Sequence, residues 1–217
     1  FPDRSSLGAS LLFILMNLIP MIVAAVFSLV LSEVNSLGEF FKKVFLQKES
    51  PLSWILAIFI PVIYYGISIL LMNVRFTGNS LLAFFLYFPW TLLYGGLEEV
   101  GWRWFLQDHL SFSKHFIFKM MVLSLVWFLW HIPIYQLPWI TAGSSNYLIF
   151  YLMILGNTFL FGALKEYSKG AVPCILSHML IDSLAVLMLV QRSLPQIILL
   201  VIIEILVSSW LVASRKL

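Results

Sequence analysis

The chain has 217 residues, 61% of them hydrophobic and only 11% charged, and its mean hydropathy is +0.99. A soluble domain carries roughly a quarter charged residues, so water is excluded as the solvent for most of this surface, and no polar stretch is long enough to close a separate aqueous core. The net charge of +3 comes without a basic cluster interleaved with aromatics, which argues against nucleic acid as a partner.

The expected fold class is all-α: a polytopic transmembrane helical bundle of about seven membrane-spanning helices, forming a single membrane domain over 1–217. The apolar segments run roughly over 9–32, 52–73, 81–108, 120–138, 147–166, 171–191 and 195–213, each near the ~20 residues that cross a bilayer. The chain opens at Phe1 rather than Met, and its first segment is too long for a signal-peptide core, so it is read as a retained span. Between the first two segments, EVNSLGEFFKKVFLQKES is amphipathic and predicts an interfacial helix. Pro20, Pro61, Pro89 and Pro133 fall in or near apolar segments, where neighbouring helices absorb a kink.

Seven crossings put the termini on opposite faces. Lys42, Lys43, Lys48, Lys114, Lys119, Lys165, Lys169, Arg215 and Lys216 then collect on one face, and only Arg4, Arg75 and Arg192 on the other. Lysine and arginine favour cytoplasmic loops, so the first face and the C-terminus are expected in the cytoplasm. The lone Cys174 cannot form an intrachain disulfide, and the usual metal-binding cysteine pairs are absent.

Ionisable groups inside a bilayer cost at least a few kcal/mol each, which narrows the candidates to Glu98, Glu99 and Arg103 on the third segment, His131 on the fourth, His178 and Asp182 on the sixth and Glu204 on the seventh. At 1.5 Å per helical residue, Glu98, His131, His178 and Asp182 lie roughly 10 to 18 Å from the lysine-rich edge, and Asn157 and Glu204 at roughly 14 Å. Glu99 and Arg103 stand four apart on one helix face and read as an ion pair, whereas Glu98 points about 100° away. That leaves Glu98 as the carboxylate able to take a proton from water. His178 and Asp182 are again four apart, so the carboxylate can orient the imidazole. A water between Glu98 and two histidines would have its base on one side and oxyanion-stabilising groups on the other.

Taken singly, these residues have plainer readings. Glu99 with Arg103 suits a structural pair, Asp182 a counter-charge for His178, and Asn157 and Glu204 interhelical hydrogen bonds. Trp102, Trp104, Trp127 and Trp130 read as interface and packing residues. Cys174, one turn before His178, is a conceivable nucleophile but reads as a buried thiol. No HExxH, GxGD or span-borne GxSG motif is present, and the serines of Gly143-Ser144-Ser145 lie in an outward loop.

Three motifs resemble the CPBP group of intramembrane proteases, which includes type II CAAX-prenyl endopeptidases and bacterial bacteriocin-processing or self-immunity proteins. They are EExxxR at Glu98, Glu99 and Arg103, an aromatic (Trp127) four residues before His131, and HxxxN/D at His178 and Asp182, within a CPBP-like catalytic core over 85–190. The family usually has Phe where this chain has Trp127, and often Gly where it has Trp104; both changes bear on packing and substrate. The resemblance implies that Glu98 activates water and that Glu99, His131, His178 and Asp182 complete the catalytic set, with Arg103, Trp127, Asn157 and Glu204 supporting. The family is often named as metalloproteases. Zinc could be held by His131, His178, Asp182 and Glu98, but the same groups could hold water and oxyanion without it, and the metal-free glutamate mechanism is the preferred reading. The expected partners are a peptide or protein substrate at the membrane and the lipid bilayer; the expected location is a bacterial plasma membrane, or the endoplasmic reticulum in a eukaryote. The competing class is an ion-coupled transporter or a non-enzymatic bacteriocin immunity protein.

Overall fold

The computed structural model describes residues 7–111, 115–133, 146–190 and 193–215. Arg4, Lys114, Arg192, Lys216, the 143–145 serine loop and the end of the 120–138 segment lie outside them. The described chain is a helical bundle: α1 (Leu7–Val30), α2 (Leu37–Phe45), α3 (Pro51–Leu70), α4 (Leu81–Thr91), α5 (Gln107–His109), α6 (Phe116–His131), α7 (Tyr147–Tyr167), α8 (Val172–Leu184) and α9 (Leu194–Ser214). Between α4 and α5 the helix widens into π-helical Leu92–Gly96 and Val100–Leu106.

Every apolar segment contains a helix, but the helices differ in kind. α1, α3, α7 and α9 are long and apolar enough to cross a membrane, and the third segment makes a fifth if its two halves, bent by 48° between Gly96 and Val100, count as one span. α6 and α8 are shorter. The 171–191 segment departs from expectation, because its helix ends at Leu184 and Met188–Val190 forms a strand, β2, antiparallel to β1 (Val74–Phe76). A short apolar run does not distinguish strand from helix by its own periodicity, and the pairing partner lies far away in sequence. Large apolar side chains such as Leu11, Val26, Phe59, Leu86, Leu206 and Trp210 are exposed around the bundle, as lipid-facing residues are.

α2 lies at the lysine-rich end. Ser36 caps it by accepting the Glu39 amide, while Glu39 accepts from the backbone and side chain of Asn35 and pairs with Lys43. The Asn35 amide, helped by Lys43, brings the Glu39 carboxyl down to about 2. At the same end Lys165 pairs with Asp108 at 2.9 Å, and Glu49 accepts the amides of Lys169 and Gly170 in the turn before α8. These contacts fix the ends of the helices that carry the polar residues.

The bent third span is held from both sides by close approach. A Cβ on Gly101 would stand 2.6 Å from the Pro20 carbonyl oxygen of α1, and one on Gly95 would stand 2.7 Å from Asp182 Oδ2 and 2.9 Å from His178 Nε2 of α8. Small residues let backbones approach in this way. The bend at Glu98 and Glu99 is thus wedged between α1 and α8.

Candidate active site

Glu98 and Glu99 occupy the short stretch between the two π-helical segments, a helix distortion that recurs at functional sites. Both are buried, and they face different partners. Glu98 Oε2 accepts the indole N–H of Trp102 and that of Trp127, each at 3.1 Å. Glu99 accepts from Arg103 Nε at 2.9 Å with one oxygen and from His178 Nδ1 at 2.8 Å with the other. The separation expected from helical period is present, with the two carboxylates committed to different neighbours.

Arg103 is fully buried, and its two terminal guanidinium nitrogens have no hydrogen-bond partner among the described residues. Its charge is met by ring faces instead: the guanidinium carbon lies 4.8 Å from the Trp127 ring centroid and 5.6 Å from that of Phe161. Trp127 therefore joins several parts of the site. Its N–H reaches Glu98, its face meets Arg103, its carbonyl takes the hydrogen bond of His131 Nδ1 at 2.7 Å, and its ring stands edge-on to His178.

His178 is held at Nδ1, where a carboxylate can only accept, so Nδ1 carries the proton donated to Glu99. Nε2 lies 3.6 Å from Asp182 Oδ2, an ion-pair distance rather than a hydrogen bond. The chain Arg103, Glu99, His178, Asp182 thus alternates in charge type and spans two helices.

A cavity of about 430 Å³ lies within the bundle, and Glu98, His131, Asn157, His178 and Asp182 all line it. Its α7 wall, Asn146, Ile149, Phe150, Met153 and Asn157, is one helix face, and runs down roughly 16 Å at 1.5 Å per residue. Glu99 and Arg103 are not among its lining residues. Glu204, expected at the same level, does not line the cavity: it packs against Gly156 of α7, with both carboxylate oxygens unpartnered among the described residues. Depth along an axis left its direction around that axis open. Trp102, read as packing, is instead a donor to Glu98; its spacing of four from Glu98 was the available signal. Cys174 is fully buried against the Phe161 carbonyl and is outside the cavity lining.

The zinc reading fares poorly on geometry. Among the described residues no group of three or more His, Cys, Asp or Glu side chains is disposed to hold a metal ion. The residues do not fit a resident zinc as arranged.

Fold and site together define an integral membrane protein of bundled helices with a largely apolar cavity inside, into which a few ionisable and polar residues are set. Residues 80–184 match the family model described as type II CAAX prenyl endopeptidase Rce1-like. This supports the resemblance carried by the three motifs: over these residues the chain is similar to a family of CAAX proteases, which hydrolyse peptide bonds. Comparison with curated proteins and with solved structures found no match.

Proposed function

We propose that the chain is a glutamate-dependent intramembrane endopeptidase, with Glu98 as the general base for a water molecule in the cavity. The observation that carries this reading is the fixing of Glu98 by two indole donors at a cavity wall shared with His131 and His178. Carboxylates in such cavities act on water when one oxygen is held and the other is left for the proton.

In this mechanism the water oxygen attacks the peptide carbonyl carbon while its proton passes to Glu98 Oε1. The tetrahedral oxyanion is stabilised by the Nε2–H of His178 as the imidazolium, whose charge is met by Glu99 and Asp182, and by His131 where it too is protonated at Nε2. Collapse breaks the C–N bond, and Glu98 returns the proton to the leaving amine. Glu99, Arg103 and Asp182 orient and balance His178, and no step passes through a metal. Residues 1–217 act as one membrane domain, with the catalytic core at 85–190. The substrate class is a membrane-associated peptide, either a prenylated C-terminal tail of the CAAX type or a leader-type peptide. The setting is a bacterial plasma membrane with the C-terminus in the cytoplasm, or the endoplasmic reticulum in a eukaryotic host.

The test is purified Glu98→Gln protein in lipid nanodiscs, supplied with quenched fluorescent peptides bearing a farnesylated or an unmodified C-terminal region. Cleavage by the wild type and a loss of at least about a thousandfold in the variant are expected, as for removal of an essential base. Coupled ion flux without a cleavage product would establish a transporter instead.

A further inference from the structure

β1 and β2 form a two-stranded ladder with Val74 opposite Val190, Arg75 opposite Leu189 and Phe76 opposite Met188. The Thr77 amide donates to the Leu187 carbonyl at 2.9 Å, continuing that register. Bonded and non-bonded pairs alternate along an antiparallel ladder. Leu189 therefore bonds towards Arg75, and the N–H and C=O groups of Met188 and Val190 point away from β1.

The cavity that holds Glu98 is lined by Met188, Leu189 and Val190, and by none of the β1 residues. Successive side chains of a strand point to opposite faces, so a cavity that meets three in a row meets the strand along its edge. That edge is the one remote from β1. The backbone donors and acceptors of Met188 and Val190 thus border the same space as Glu98, His131 and His178.

We propose that the outer edge of β2 is the substrate rail: an extended peptide pairs with Met188 and Val190 as a third strand and so carries its scissile bond into the cavity towards Glu98. The proposal rests on the reading of this cavity as a peptide-hydrolase site. A peptide entering an apolar bundle brings backbone N–H and C=O groups that cost several kcal/mol each if left unpaired. A strand edge satisfies them without regard to side-chain identity, the binding mode of strand addition. It also presents the peptide extended, with its carbonyls accessible to attack.

The experiment uses the full chain in nanodiscs and a quenched fluorescent peptide with a farnesylated cysteine, synthesised with one backbone N-methyl group at successive positions on the amino side of that cysteine. The expected result is a two-residue periodicity, with about tenfold slower cleavage wherever a methyl group replaces an amide that pairs with β2. Val190→Pro, which removes an outward amide, should raise KM with little change in kcat. If Val190→Pro fails to fold, the N-methyl series on the wild-type protein still decides the matter. Cleavage that is indifferent to N-methyl position overturns the rail and leaves the hydrolase reading intact. A wild type that cleaves none of the peptides overturns both.

Discussion

Trp127 is the residue on which most of the site converges, and the chemistry of an indole explains why. A phenylalanine could face Arg103 and pack on His178, but it has no N–H for Glu98. With Trp102 it makes two donors to one oxygen of a buried carboxylate, and hydrogen bonds to charged groups are worth about 1.5–3 kcal/mol each. Trp127→Phe is therefore expected to reduce kcat/KM by about ten- to a hundredfold, and Trp102→Phe to act in the same direction. Steady-state cleavage of a fluorogenic peptide measures this, beside an unfolding curve to confirm that the variants remain folded. Wild-type rates in both would show that Glu98 does not depend on the indoles. Arg103 was legible from its spacing to Glu99, but its aromatic bracketing was not, because Phe161 comes from another helix.

At the scale of elements, the bend in the third span decides where the carboxylates go. Pro89 lies in α4, upstream of the bend, while π-helical turns flank Glu98 and Glu99 directly; such turns are a recognised cause of kinks. The bend is seated on α1 through Gly101, where an added methyl group would meet the backbone of Pro20 rather than a movable side-chain tip. Gly101→Ala should cost about 1–3 kcal/mol through overpacking, read as a lowered unfolding temperature in detergent. An unchanged melting curve would mean that α1 does not constrain the bend. Helix positions were visible as apolar segments. The π turns and the β1–β2 ladder were not, since neither has a hydropathy signature of its own and the ladder depends on pairing across most of the chain.

For the whole molecule, the site needs α6, α7, α8 and the bent third span in register around one cavity, and no one of these elements contains it. Because the donor groups among the described residues do not gather as a metal cage, cleavage should survive dialysis against EDTA or 1,10-phenanthroline within about twofold, unlike an enzyme whose ligands must bind a metal to work. Rates on the peptide probes before and after chelation measure this, and abolition by chelator with recovery on adding zinc would reverse the conclusion.

Composition and hydropathy by themselves determined that the chain is a mainly helical membrane protein, because so few charges and so much apolar surface leave lipid as the only compatible solvent. The order of EExxxR, His131 and HxxxD determined the family resemblance and which residues to watch. Only the tertiary structure decided that Asn157 lines the cavity while Glu204 does not, that Trp102 serves Glu98, and that a strand borders the site. The physical reason is that sequence spacing fixes the height and relative angle of groups on one helix, whereas the rotation of each helix about its own axis is set by packing against the others.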